Sequence, residues 1–444
     1  MSRDPDLLSR RDAIRALASA AALPLVSACA HDRAPAPPAT HEAGALALLD
    51  GCADNLIRLL PESATSLGID TGARAALRSQ LADRSAEGQQ RVARQVRADL
   101  ERVNAFNTSG LSHATRPHGE EFYRWALKAS TTTNMSPDEV HEMGQSELRR
   151  LHARMDAILK EIGYTQGTVG ERMKVLAKDP RYKFSEGDKG RAEIMAFIDN
   201  RLDWIRAQMP RAFNKVVKPN MEVKRLPPEE EPGAPGAYGG AGSIDGKIPG
   251  RFWINLRTTN LHSKYSLADL AFHEAIPGHI WQGEYTHEMP LIRQVLSFNA
   301  YSEGWGLYAE QLADELGAYE NDRVGRLGYL QSIAFRACRL VVDTGIHAKR
   351  WTREQGVKFF VDVNGSNPEE VASEVDRYCS WPGQACGYKV GHSEINRQRQ
   401  KATTALGPRF DLKAFNDTVV LGGNVPLDVL ARNVDEHIRT TSAI

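Results

Sequence analysis

Two histidines six residues apart, both needed at one point in space, set the tightest limit on how this chain can fold. They stand in His273-Glu274-Ala275-Ile276-Pro277-Gly278-His279. In the common zinc-protease pattern two histidines four apart share a helix face, and the glutamate beside the first is the general base. On an unbroken helix, at about 100° per residue, a separation of six turns the second ring about 240° away from the first. Pro277 removes an N–H from the helical ladder, and Gly278 accepts backbone conformations that other residues resist. If that pair absorbs two residues as a bulge, the rings regain the relation of positions four apart. The spacing therefore predicts a helix, bulged at Pro277-Gly278, that aims both imidazoles at one ion.

A catalytic zinc takes three protein ligands and keeps a fourth position open. Residues 298–312 read as the next helix and carry Tyr301-Ser302-Glu303-Gly304-Trp305-Gly306. Glu303 lies 30 residues after His273, room for a connection and a return helix. Glycine inside a helix costs about 1 kcal/mol relative to alanine. Gly304 and Gly306 thus point to close packing against the histidine helix. Glu310, seven residues on, lies on the same face and is the rival, and the flanking glycines favour Glu303. Glu274 would take the proton of zinc-activated water.

Hydrolysis at a carbonyl also needs a donor for the developing oxyanion. Candidates are His347, Tyr378, Tyr388 and His392; Asp343 and His347 stand four apart, as do Tyr388 and His392. Asp343 could fix the tautomer of His347 across that spacing. His347 and Tyr388 are the catalytic candidates, and Asn255, Tyr378 and His392 the substrate-binding ones. Asn255 lies in the strand-like run Phe252-Trp253-Ile254-Asn255-Leu256, whose edge could pair with an extended peptide.

The N-terminus reads as an export address. Arg10-Arg11 precede an apolar stretch, and Leu25-Val26-Ser27-Ala28-Cys29 resembles a bacterial lipobox. Residues 1–28 are then a twin-arginine signal peptide and Cys29 carries the lipid. Residues 29–44, with Ala34-Pro35-Ala36-Pro37-Pro38-Ala39, form a tether. This places the protein in the cell envelope on the periplasmic side, touching membrane only through that anchor. Lys+Arg and Asp+Glu each number 56, so the balance lacks the basic surplus of a nucleic-acid binder. An oxidising compartment permits a Cys379–Cys386 disulfide without requiring one.

The rest of the chain is mainly helical. Residues 45–118 read as an N-terminal helical region with a loop from Asn107 to Gly119, and residues 119–444 as the body that holds the motif. Ser136-Pro137-Asp138-Glu139 is a capping-box helix start, and Pro210 ends a helix from Ala192 to Met209. Strands are expected at Val223 and at residues 252–256, around an irregular Gly/Pro-rich loop from Glu229 to Gly250. The expected fold is mainly α (α+β), one small sheet beside the zinc helix.

Several blocks resemble the bacterial family called "domain of unknown function 885". They are the His-Glu-x-x-Pro-Gly-His segment, Glu303-Gly304-Trp305-Gly306-Leu307-Tyr308, Val342-Asp343-Thr344-Gly345-Ile346-His347, Arg377-Tyr378, Pro382-Gly383-Gln384-Ala385, Tyr388-Lys389 and Phe410-Asp411-Leu412. The resemblance spans about residues 120–440. It implies a gluzincin-like metallopeptidase with Zn2+ on His273, His279 and Glu303, Glu274 as base, and a peptide as substrate. The chain departs from the family at Asn416, where histidine is expected, and in a short region before residue 120. The alternatives are a zinc amidohydrolase acting on a non-peptide amide and a non-catalytic metal-binding envelope lipoprotein. Composition and motifs leave the oligomeric state open.

Overall fold

The computed structural model describes residues 40–443 apart from 63, 65–69, 107–118, 233, 245 and 290–295. The signal sequence, Cys29 and most of the tether lie outside the described residues, as does nearly all of the loop expected at 107–119. The chain divides into two compact units, Met1–Thr115 and Arg116–Ile444.

In the first unit α1 (Thr40–Leu59) packs on α2 (Ala86–Asn104), with a 3-10 helix at Gly72–Ser79 between them. The Asn55 amide ties the pair by donating to Asp99 at 3.0 and 3.1 Å. Helix α1 begins inside the stretch expected to be tether, because the prolines stop at Pro38.

The second unit is a helical body around one continuous apolar core. Its first helices are α3 (Gly119–Thr131), α4 (Pro137–Glu161), α5 (Val169–Leu176) and α6 (Gly187–Gln208). Ser136 caps α4 as expected: its hydroxyl accepts from Glu139 N at 3.2 Å and the Glu139 carboxylate accepts from Ser136 N at 2.7 Å. Helix α6 starts five residues earlier than expected and stops at Gln208, where Pro210 turns the chain into a short 3-10 helix.

Three strands follow, β1 (Met221–Arg225), β2 (Ala237–Gly240) and β3 (Gly250–Ile254), in the spatial order β1-β3-β2. β1 runs parallel to β3 and β2 antiparallel to it. Two expectations change here. The loop of residues 229–250 contains a strand, and the run at 252–256 supplies the central strand, with both edges already paired. The free edges belong to β1 and β2, and β2 lies against the helices that carry the histidines.

Those helices are α7 (Leu267–Glu274) and α8 (His279–Thr286). After them come α9 (Asn299–Glu315), α10 (Arg323–Ala348), α11 (Arg353–Phe359), α12 (Pro368–Ser380), α13 (Gly387–Leu406), α14 (Leu412–Leu421) and α15 (Leu427–Ser442). The longest buried seams join α10 to α4 and α9 to α13. The expected mainly helical fold with one small sheet is what the chain adopts. Among the described residues no helix is long and apolar enough to cross a membrane.

Candidate metal centre

The segment from His273 to His279 is two helices rather than one bulged helix. α7 ends at Glu274, α8 starts at His279, and the Ile276–Pro277 peptide between them is cis. The hydrogen-bond ladder still shows the insertion. Ala275 N bonds Ala271 O at 3.0 Å, the normal four residues back, but Trp281 N reaches Ala275 O, six back, at 3.0 Å. Two residues are looped out, as the spacing demanded. The buried Pro277 carbonyl is taken up by the Trp305 indole N–H at 2.9 Å. Position 278 must be glycine, since a Cβ there would stand 1.7 Å from the His273 carbonyl oxygen. The two imidazoles meet with ring centroids 4.8 Å apart and planes at 89°.

Helix α9 brings Glu303 to them. Its Oε2 lies 3.5 Å from His273 Nε2 and 3.4 Å from His279 Nε2. One ligand atom from each residue falls within 4.8 Å of the others. That Oε2 is buried and has no hydrogen-bond partner among the described residues. An unpaired buried carboxylate oxygen is costly. Two nitrogens and one carboxylate oxygen around it match the donor set of a catalytic zinc, so these residues fit the metal.

The other nitrogen of His273 is held from behind: Nδ1 lies 2.7 Å from Glu310 Oε1. Ser332 Oγ donates to the second Glu310 oxygen at 3.1 Å. Burial works against an ionised Glu310, but Arg336 and His273 hold its pKa below the usual carboxylate range. Burial, reinforced by the Glu310 charge, pushes Asp269 well above that range. The shifts favour a proton on Asp269 and a charge on Glu310. For His273 burial disfavours the cation, yet Glu303 and Glu310 outweigh it and raise the pKa to about 10. Glu274 is raised by burial against the pull of His273 and His279. Its backbone lies under β2, where a Cβ on Gly239 would come 2.6 Å from the Glu274 carbonyl.

Residues 111–434 match the profile of the family described as a bacterial protein of unknown function (DUF885). The chain belongs to this family. A candidate lipoprotein of Colwellia psychrerythraea has a similar fold, with TM-score 0.74 and 38% identity, over 81% of this chain and 65% of that one. The chain thus spans just under two thirds of that protein's length. A candidate lipoprotein of unknown function from Shewanella oneidensis has the same fold, with TM-score 0.64 and 20% identity, over 88% of this chain and 73% of that one. No curated protein matches the chain.

The remaining candidates of this DUF885 member are scattered. Tyr388 is half-buried near the cluster, its ring under the Arg339 guanidinium at 4.2 Å; burial and then the Glu303 charge raise its pKa, and Arg339 lowers it. Tyr378 is fully buried; its hydroxyl donates to Glu374 at 2.9 Å and accepts from Arg339 Nε at 3.2 Å. His347 Nε2 faces the Tyr378 carbonyl at 3.0 Å, and its ring stacks on Tyr123. Along α10 at about 1.5 Å per residue, His347 lies about 22 Å past Ser332, away from the cluster. Asp343 does not orient it: that carboxylate accepts from Tyr123 OH at 2.7 Å and from Gly383 N at 3.1 Å.

His392 is locked in a buried network, Nδ1 against Lys389 Nζ and Nε2 against Gln311 Oε1, each at 2.8 Å. Asn255 supports the neighbouring loop by donating to the carbonyls of Glu231, Ala234 and Pro235 at 2.9 to 3.3 Å. Both side chains are buried and engaged in these bonds. Cys386 is a buried thiol and forms no disulfide with Cys379. Asn416 is a buried strut, accepting from Tyr308 OH and donating to the Ala212 carbonyl, both at 2.9 Å. The sequence reading missed Arg336 and Arg339. The signal was present: with Ser332 they fall at i, i+4 and i+7, the polar positions of the otherwise apolar run from residue 332 to residue 342.

Proposed function

We propose that this DUF885 protein is a zinc-dependent peptidase, exported and anchored by a lipid on Cys29. One observation carries the reading: His273, His279 and Glu303 converge with the buried Glu303 Oε2 making no hydrogen bond among the described residues, and Glu274 stands beside them in sequence. Zinc held there supplies Lewis acidity, polarising a carbonyl and lowering the pKa of water toward about 7. Glu274 accepts the proton of the attacking water and hands it to the leaving amine. Its burial-raised pKa brings that base nearer to neutral pH, where proton transfer in both directions is efficient. The Tyr388 hydroxyl, near Glu303, is the donor for the oxyanion. The β2 edge beside Glu274, rather than β3, is the place for an extended substrate to add its main chain.

The lipid anchor rests on the order of twin arginine, apolar stretch and lipobox, and the two candidate lipoproteins of similar fold support it. Metal analysis followed by a mixed-peptide digest read by mass spectrometry tests the whole reading. One zinc per chain and cleavage by the wild type, with zinc retained and cleavage lost in Glu274→Gln, is the expected result. A zinc-loaded wild type that cleaves nothing removes the peptidase, and an active Glu274→Gln removes the base.

A further inference from the structure

Helix α10 places Ser332, Arg336 and Arg339 on the face that looks toward the metal centre. Arg339 is only 7% exposed. Its Nε donates to Tyr378 and its Nη2 to Glu374 at 3.0 Å, while its buried Nη1 has no partner. The Tyr388 ring covers one face of the guanidinium. A stacked guanidinium keeps its N–H bonds in its own plane, so the ring leaves that edge unsatisfied. Arg336 uses Nη1 on Ser332 of its own helix, and its Nε is likewise buried without a partner.

Both arginines act electrostatically on the centre, Arg339 on Glu303 and Arg336 on Glu274 and Glu310. The local charge count favours an anion. Arg339 and Arg377 share one firmly ionised carboxylate outside the cluster, Glu374, and hold it down at about 2 against the effect of burial, while Arg336 bonds Ser332 of its own helix. The nearby Glu370 is solvent-exposed, where its charge is screened. Orphaned donors on buried cations are costly until an acceptor arrives, and a carboxylate supplies charge and two acceptor oxygens where a peptide carbonyl supplies one neutral oxygen.

Resting on the peptidase reading, we propose that Arg336 and Arg339 form an anion subsite that takes the free carboxylate of a peptide's last residue. The protein is then a carboxy-terminal exopeptidase. The test compares blocked peptides of one sequence ending in a free acid or an amide, with the zinc-loaded wild type. The acid should be cleaved with at least tenfold higher kcat/KM, releasing only one or two C-terminal residues. Arg339→Gln should bring the acid down to the amide's value while zinc content holds. Arg336→Gln, whose side-chain hydrogen bonds stay within its own helix, should lower the acid preference even if the Arg339 variant fails to fold. Equal cleavage of acid and amide, or internal cuts in long peptides, overturns the subsite and leaves the peptidase standing. If neither peptide is cleaved, the peptidase reading falls, and calorimetry on acetylated dipeptides still decides the subsite. At least tenfold tighter binding of the acid supports it, and equal binding overturns it.

Discussion

Glu303 and Glu310 are the same carboxylate seven residues apart on α9, and their neighbours give them different work. Glu303 turns Oε2 to both Nε2 atoms without a hydrogen bond to either; Glu310 meets the far nitrogen of His273 and is satisfied by Ser332. Glu303→Gln should therefore abolish stoichiometric zinc binding, because an amide is a far weaker ligand than a carboxylate. Glu310→Gln keeps the ligands and loses the group that orients His273, so zinc affinity should fall about tenfold to a hundredfold. Competition with a chromophoric chelator measures both, and equal losses in the two variants would erase the distinction. Sequence already separated these residues through the glycines, though for a partly mistaken reason. Gly306 lies against the imidazole, where a Cβ would come 2.6 Å from His273 Cε1, but Gly304 packs on Gly391 of α13. A glycine announces a close approach without naming what approaches.

The break between α7 and α8 shows what spacing can and cannot dictate at the level of an element. Six residues between the histidines required two to be looped out, and the Trp281-to-Ala275 bond shows that they are. The choice of two helices over one bulged helix depends on Trp305, which reaches from α9 to hold the Pro277 carbonyl. No local pattern encodes a partner 28 residues away. Trp305→Phe should keep the ring packing and leave that carbonyl unpaired, costing about 1–3 kcal/mol of stability, read as a lower denaturant midpoint at unchanged m-value. Gly306→Ala should act on the site instead: its methyl displaces the His273 ring, so zinc affinity drops at least tenfold while far-ultraviolet circular dichroism stays unchanged. β2 was illegible for the opposite reason. Apart from Tyr238, Ala237-Tyr238-Gly239-Gly240 has little strand propensity, and it is a strand because β3 pairs one edge and the backbone of Glu274 packs on its face.

At the scale of the whole molecule, periodicity and caps gave the helical body, since they are written locally. The polar interior was not legible, because burial decides whether Asp269, His392 or Arg339 is a strut or a site, and burial is set by distant helices. That interior makes the metal-free protein sensitive to pH. With no metal present, the proton on His273 helps to offset Glu303 and Glu310, beside His279 and Arg336. Its pKa of about 10 lies above the ordinary value of 6.5, so the folded state binds this proton more tightly than the unfolded chain does. The resulting stability is complete below pH 6.5 and is lost as pH rises through about 10. Asp269 and Glu274, raised by burial, contribute with the same sign from lower pH, because folding favours their protonated forms. The apo protein should therefore lose thermal stability steadily on going from pH 6.5 to 10. Zinc displaces the proton, so its affinity should rise over the same interval and the loaded protein should hold a nearly constant Tm. Thermal melts at matched ionic strength, with and without one equivalent of zinc, separate the two curves. An apo melting temperature that is flat from pH 6.5 to 10 would mean that the carboxylates around His273 are not charged as the geometry requires.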